Sequence, residues 1–314
     1  MNAPKLYLVI PCYNEEEVLE DTAGKLKTLM GSLAAEGRVA PDSRVLFVDD
    51  GSRDRTWSLI EALHGKDPLY EGLKLAHNAG HQNALWAGMM EVKDRCDALV
   101  SIDADLQDDP NAIRGFLDEY RNGCDIVYGV RGERTTDTAF KRVTAQGFYK
   151  LLAVMGVETV YNHADYRLMS SRAVNALAEY GEVNLYLRGM VPTLGFKTAE
   201  VRYARGERLA GESKYPLKKM LALAGQGITS FSVKPILLIA VIGVILAAIG
   251  ALLGIAAIIA AAAGKSALVL TILFAAFFTG GLQLAAISLV GVYVGKTYME
   301  AKHRPKYIIE KKLG

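Results

Sequence analysis

The sequence predicts an α/β domain built on a mostly parallel sheet, followed by a short interfacial helix and a hairpin of two membrane-spanning helices. Three observations lead there. Short apolar runs alternate with polar loops and helical patterns in the first part of the chain, the order expected of strands joined by helical crossovers. The early apolar runs end in acidic loops. Two long stretches toward the C-terminus carry no charged residue at all.

The elements follow in order. Leu6 to Ile10 is the first apolar strand candidate; it runs into Pro11-Cys12-Tyr13-Asn14-Glu15-Glu16-Glu17 and then a helical pattern through Leu33. Val45 to Val48 is the second, ending in Asp49-Asp50-Gly51-Ser52-Arg53-Asp54-Arg55-Thr56 before a helix from about Trp57 to Leu63. Ala98 to Ile102 is a further buried strand, and it leads directly into Asp103-Ala104-Asp105-Leu106-Gln107-Asp108-Asp109-Pro110. Ligands of open α/β sheets bind at the carboxyl ends of the strands, where these loops converge. Residues spaced by two on a strand point the same way, so Asp103 and Asp105 can jointly hold one divalent cation, Mg²⁺ or Mn²⁺, which in turn carries a diphosphate. Taken alone, an acidic pair of this kind also suits a solvated turn or a helix cap.

The membrane segments rest on length. Ile236 to Ala263 and Ala267 to Val294 are free of charge, with Gly264-Lys265-Ser266 between them. Each exceeds the ~20 residues that cross a bilayer. Lys218, Lys219 and Lys234 precede the first span, and Lys296, Lys302, Arg304, Lys306, Lys311 and Lys312 follow the second, against Lys265 alone in the turn; the asymmetry places both flanks in the cytoplasm and the chain in the inner membrane. In residues 214–234, Leu217, Met220, Leu221, Leu223, Ala224 and Ile228 can share one helix face, which suits a helix lying in the interface or an ordinary packed one. The expected organisation is a cytoplasmic domain over 1–213, the interfacial linker over 214–234, the hairpin over 235–295 and a basic tail over 296–314. Met1 to Lys5 leads straight into the first strand, and no cleavable signal peptide is expected.

Composition sets limits. The chain has 314 residues, 51% of them hydrophobic, and a net charge of +2, too balanced for a nucleic-acid partner. Cys12, Cys96 and Cys124 have no metal-type spacing and are expected to stay reduced. His77 and His81 flank Asn78-Ala79-Gly80 and read as loop residues rather than metal ligands. Gly243, Gly250, Gly254, Gly280, Gly281, Gly291 and Gly295 would permit close helix packing, so a homo-oligomer is compatible with the spans.

The motifs together resemble the family 2 glycosyltransferases, in particular the group that transfers sugars to polyprenyl phosphates. The resemblance is carried, in the family's order, by Pro11 to Glu17, Val48-Asp49-Asp50-Gly51-Ser52, Asn78-Ala79-Gly80-His81-Gln82-Asn83-Ala84, Asp103-Ala104-Asp105-Leu106-Gln107, Tyr128-Gly129-Val130-Arg131, Asp165-Tyr166-Arg167-Leu168 and Arg208-Leu209-Ala210-Gly211-Glu212-Ser213-Lys214. It implies a GT-A-type nucleotide-sugar-binding domain. Pro11, Tyr13, Glu15, Val48 and Asp50 match the positions that hold the nucleoside. Asp103, Ala104, Asp105 and Gln107 match the diphosphate and metal site, with Asp103, Asp105 and Gln107 as the metal set. Arg131, Arg208 and Lys214 match cations near the phosphates, a role suited to guanidinium forks and mobile ammonium charge. Structural readings stand beside these: Pro11 can end a strand, Glu15 can favour a helix N-terminus, Asp50 can cap the turn before Gly51, and Arg134, Lys141 and Arg142 can be a solvated basic face. Asp165 either orients sugar hydroxyls or holds Arg167 in a buried ion pair.

The implied reaction is inverting transfer of a hexose, glucose from UDP-glucose by preference and GDP-mannose as the alternative, to a polyprenyl phosphate such as undecaprenyl phosphate. A sugar hydroxyl would need a general base, whereas a phosphate monoester with a second pKa of about 6 is already a nucleophilic dianion at neutral pH. Catalysis then rests on alignment and on stabilising the departing diphosphate, with Asp105, Arg131, Arg208, Lys214 and Asp165 as the candidate residues. A processive polysaccharide synthase would carry more spans and a Gln-x-x-Arg-Trp motif, which this chain lacks. An inactive nucleotide-sugar-binding subunit should have lost parts of the metal and phosphate set.

Overall fold

The computed structural model describes residues 3–131, 163–182, 185–203, 259 and 268–314. The first strand, β1 (Leu6–Cys12), is buried along its whole length, a state open to a strand only when both faces of its sheet are covered. It pairs in parallel with β2 (Arg44–Asp49) on one side and β4 (Ala98–Ser101) on the other, and β2 pairs in parallel with β3 (Tyr70–Leu75). The intervening helices are α1 (Leu19–Ala35), α2 (Thr56–Lys66) and α3 (His81–Val92). On α1 the apolar side chains recur as Leu19, Ala23, Leu26, Met30 and Leu33, one helix face, and all are buried in the main core with Leu8, Ile10 and Phe47.

Beyond β4 the order changes. Helix α4 (Ala112–Arg121) leads to β5 (Ile126–Arg131), but the strand inserted between β4 and β5 is β6 (His163–Ser170), antiparallel to both. Two short helices, α5 (Ser171–Ala178) and α6 (Leu187–Thr193), precede β7 (Thr198–Tyr203), which runs parallel to β5 at the edge. The sheet has eight strands in the order β7-β5-β6-β4-β1-β2-β3-β8. The last of them, β8 (Ile309–Leu313), comes from the C-terminus and lies antiparallel to β3. The segment expected as a basic tail thus contributes a strand to the sheet.

The chain divides into two compact units: one of residues 1–149, 158–216 and 305–314, which holds the sheet, and one of residues 150–157 and 217–304. In the second unit the described element is α7 (Leu268–Ala301), 34 residues long. It contains the second charge-free run from Leu268 to Val294, whereas Ala267, the first run apart from Ile259, and the linker 214–234 lie outside the described residues. Among the described residues no helix is counted as long and apolar enough to cross a membrane.

Candidate active site

The acidic loops are tied to one another at the carboxyl ends of β1, β2 and β4. Asn14, with φ 55, adopts the left-handed conformation that asparagine tolerates better than most residues, and it reaches across to the second loop. Its amide donates to Ser52 Oγ at 3.0 Å and its Oδ1 accepts from the Arg53 amide at 2.9 Å. The Glu15 amide donates to Thr56 Oγ1 at 2.9 Å, the Glu16 amide to Asp54 at 3.2 Å, and Arg55 Nε to Glu16 at 3.0 Å. This zipper holds the β1–α1 and β2–α2 loops side by side. Pro11 and Val48, paired across β1 and β2, are buried beneath it, and Tyr13 stands on the rim, 41% exposed.

Asp50 has a defined structural task. Its Oδ1 accepts the Ala79 amide at 2.7 Å and its Oδ2 the Gly80 amide at 3.0 Å, so both carboxylate oxygens fasten the loop that starts α3. The loop comes close because residue 51 is glycine: at φ +67, a Cβ there would lie 2.6 Å from the Asn78 nitrogen. Its neighbour Asp49, at the end of β2, is fully buried; one oxygen accepts the Ser52 amide at 3.2 Å and the other has no hydrogen-bond partner among the described residues. Burial pushes its pKa up. Cys12, beside it on β1, is a buried thiol whose pKa burial also raises, which makes it a small core residue rather than a nucleophile.

The third loop turns sharply. The Leu106 amide donates to the Asp103 carbonyl at 3.2 Å, the Gln107 amide to Asp105 Oδ1 at 3.2 Å, and Leu106 takes φ 44. Thr22 of α1 donates its hydroxyl to the Ala104 carbonyl at 2.6 Å and fixes the loop to the helix below. Ala104 and Gln107 are buried, whereas the Asp103 carboxylate is 44% exposed. Although part of this carboxylate meets solvent, the turn strips enough water from it to raise its pKa, an effect that the nearby His81 opposes and that Asp165, Asp108 and Asp105 reinforce. Among the described residues no group of three or more His, Cys, Asp and Glu side chains is arranged as a metal cage.

Asp165 reaches this loop because β6 is antiparallel to β4. Ser101 pairs with Arg167, so two residues on from Ser101 and two residues back from Arg167 bring Asp103 and Asp165 side by side. It accepts from Arg167 Nη2 at 2.6 Å, from Arg188 Nε and Nη2 at 3.2 and 3.1 Å, and from Gln82 Nε2 at 3.3 Å. Burial would raise its pKa, but Arg188 and Arg167 outweigh that and hold it far below the usual carboxylate range. Gln82 completes the knot by accepting the Leu187 amide at 3.1 Å through its Oε1. His81 Nε2 lies between the two carboxylates, 3.7 Å from Asp103 and 3.9 Å from Asp165.

Arg131 ends β5 and forms a two-pronged ion pair with Asp108, Nε to Oδ1 at 2.9 Å and Nη2 to Oδ2 at 3.0 Å. Burial would lower its pKa, and the bonds to Asp108 overcome that and raise it. Arg208 and Lys214 lie outside the described residues, as do Arg134, Lys141 and Arg142. The structure therefore brings together Pro11 and Val48 at the ends of β1 and β2 with Tyr13, Glu15 and Asp50 in the loops that follow, and Asp103, Ala104, Asp105, Gln107, Asp165 and Arg131 around the third loop.

The family model for glycosyl transferase family 2 matches residues 7–189, a span that begins in β1 and ends in α6 and takes in each of these loops. The chain belongs to glycosyl transferase family 2. It is a glycosyltransferase with a GT-A-like α/β domain. This family 2 enzyme is 51% identical over 312 residues to the uncharacterized glycosyltransferase YkoT of Bacillus subtilis, covering 98% of this chain and 91% of that one. It is 37% identical over 313 residues to the bactoprenol glucosyl transferase of Shigella phage SfV, covering 98% of each. It is 36% identical over 314 residues to the prophage bactoprenol glucosyl transferase homolog of Escherichia coli K12, covering 98% and 99%.

Three residues of this family 2 site are not singled out by the sequence. Asp49 and Asp108 sit inside the motifs, and only their burial marks them. Arg188 is a single cation in the short helix Leu187–Thr193, whose other residues carry no charge; that isolation is the one signal that points to a buried partner.

Proposed function

We propose that this family 2 transferase moves a hexose from a nucleotide sugar, UDP-glucose, to the phosphate of a membrane polyprenyl phosphate, with inversion at the anomeric carbon. The observation that carries the reading is the similarity, over 98% of both chains, to the SfV bactoprenol glucosyl transferase. The geometry supports it. Tyr13 on the rim, with Pro11, Val48 and Glu15 behind it, offers a surface for a nucleoside, and Asp50 holds the neighbouring loop. Asp103 and Asp105 present carboxylate oxygens on one turn, with Gln107 beneath, a hard-oxygen donor set that fits Mg²⁺ or Mn²⁺. A divalent ion there would neutralise the departing diphosphate.

Each residue then has a task of its own. Asp165, tied to Arg167 and Arg188, is positioned to orient sugar hydroxyls beside Asp103. Arg131, Arg208 and Lys214 are the cations assigned to the phosphates; for Arg131 that task requires it to share its fork with Asp108. No side chain is assigned as a general base, because the acceptor phosphate is already ionised at neutral pH.

The same reading anchors the enzyme in the inner membrane by a hairpin over 235–295, preceded by the interfacial linker 214–234, with the catalytic domain 1–213 and the tail 296–314 on the cytoplasmic side. Its supports are the two charge-free runs, each longer than the ~20 residues of a span, and the place of β8 in the same sheet as β3. A chain that leaves a domain and returns to it crosses the membrane an even number of times. A test is to incubate the purified chain in detergent with undecaprenyl phosphate, Mn²⁺ or Mg²⁺ and a panel of UDP- and GDP-sugars. A hexosyl-phospholipid formed from UDP-glucose, absent with Asp105→Ala, supports the proposal; its formation only from another donor overturns the choice of sugar.

A further inference from the structure

The strand β8 sits where its sequence gives little reason for it: Ile309-Glu310-Lys311-Lys312-Leu313 is charged at three of five positions, yet it closes the edge of β3. Its register pairs Gly72 with Leu313, Leu73 with Lys312, Lys74 with Lys311 and Leu75 with Ile309, and the Ala76 amide donates to the Ile308 carbonyl at 2.9 Å. Gly72 makes room for it. A Cβ at that position would lie 2.8 Å from Ile60, 3.1 Å from Leu313 and 3.3 Å from Trp57, so the missing side chain is the slot that Leu313 occupies.

The charges of the segment are matched one by one. Glu310 pairs with Lys74 at 2.9 Å, Lys311 with Glu61 of α2 at 2.6 Å, and Lys312 with Glu91 of α3 at 2.6 Å. Just before the strand, the Lys306 ammonium lies 4.0 Å from the ring centre of Trp86 on α3 and donates to the Tyr180 carbonyl at 3.5 Å. Residues 306–313 thus grip β3 and α3, the two elements joined by the loop 76–80. That loop supplies the Ala79 and Gly80 amides to Asp50 and ends at His81, which faces Asp103.

We propose that the C-terminal segment 305–314 is a positioning element of the donor site: by clamping β3 to α3 it sets the loop 76–80 against Asp50, and through it the start of α3 against the Asp103 turn. The inference rests on the donor-site reading above for its kinetic consequence, but not for its structural one. It also means that the sheet of the catalytic unit is completed only after the chain has passed through residues 217–304.

The test uses the full-length chain in detergent and the double variant Lys311→Glu/Lys312→Glu, whose two side chains are about half exposed and whose substitution leaves the core intact. Two exposed ion pairs turned into like-charge contacts should speed hydrogen exchange of the amides of residues 76–80 about fivefold, with β1 and β4 unchanged, and raise the KM for UDP-glucose by a similar factor with kcat nearly constant. A chain ending at residue 304 should lose the protection of 76–80 and regain it when a peptide of residues 305–314 is added. Unchanged exchange at 76–80 in the double variant, or full protection in the shortened chain without peptide, overturns the proposal. Failure of the wild-type chain to use UDP-glucose overturns the choice of donor, while the exchange result still decides the role of the segment.

Discussion

Replacing Asp165 by asparagine removes one negative charge and almost no volume, and the structure says what that should do. Arg167 is 2% exposed and its guanidinium lies 2.6 Å from Asp165, its ion-pair partner among the described residues. With the carboxylate replaced by a neutral amide, a fully buried guanidinium loses its counter-charge and keeps only neutral acceptors, the amide oxygen and the Leu187 carbonyl at 3.4 Å. Breaking a buried pair in this way costs about 3–5 kcal/mol, and in a unit of this size about 1 kcal/mol moves the melting midpoint by roughly 2–4 °C, so Asp165→Asn should melt about 10 °C lower. Trp57 and Trp86 both belong to the sheet unit, so thermal unfolding followed by tryptophan fluorescence in detergent reads it directly. Arg188→Gln is the contrast: that side chain is 33% exposed, leaves the Asp165–Arg167 pair standing, and should cost about 1 kcal/mol. The pH dependence has a fixed sign. Because the folded pKa of Asp165 lies below the unfolded value of about 3.9, its stabilisation is complete above that pH and declines as the pH falls through the folded pKa. The gap between wild type and Asp165→Asn should therefore narrow progressively below about pH 4. A variant that melts within about 2 °C of wild type at neutral pH, or a gap that widens in acid, would refute the reasoning.

Three further outcomes follow from the same geometry. Gly51→Ala forces alanine into a left-handed conformation, at about 1–2 kcal/mol, and drives its Cβ against the backbone of His77 and Asn78; calorimetry should show a lower midpoint, and exchange at Ala79 and Gly80 should quicken as their bonds to Asp50 loosen. Arg131→Met strands the buried Asp108 carboxylate and should cost about 3 kcal/mol or more in denaturant unfolding, whereas Arg131→Lys keeps the charge, loses the fork and should fall between. Asp105→Ala takes one of the two candidate metal carboxylates out of the turn whose Gln107 amide it accepts, so titration calorimetry with Mn²⁺ should lose its binding signal; an unchanged Mn²⁺ isotherm would remove Asp105 from the metal set.

Much of the sheet is readable in the residues, because its central strands carry continuous apolar runs. Leu6 to Ile10 and Val45 to Val48 lie within β1 and β2, which each extend further, and Ala98 to Ile102 covers β4. The helix expected through Leu33 ends at Ala35, and the one expected from Trp57 to Leu63 runs from Thr56 to Lys66. β6 is harder to see. His163-Ala164-Asp165-Tyr166-Arg167 reads as polar, and it forms a central strand only because Asp165 and Arg167 neutralise each other inside the fold. β8 escapes for a related reason: its lysines are solvated in the sequence and matched to Glu61 and Glu91 only in space. For the site, motif order identifies the loops but not the division of labour within them. Asp50 reads as a nucleoside contact, and both of its oxygens accept loop amides; Arg131 reads as a phosphate contact, and its fork is closed on Asp108. Side-chain partners that are distant in sequence set those tasks, and spacing along the chain does not record them.

The most direct measurement compares two lipid acceptors, undecaprenyl phosphate and undecaprenol, incubated with the purified chain, UDP-glucose and Mn²⁺, with lipid products followed by mass. A site without a general base should glucosylate the phosphate alone, giving a hexosyl-phospholipid that is lost with Asp105→Ala. A glucosylated alcohol would contradict the proposal that the acceptor's own ionised phosphate is the nucleophile, and no lipid product from either acceptor would contradict the polyprenyl-phosphate assignment itself.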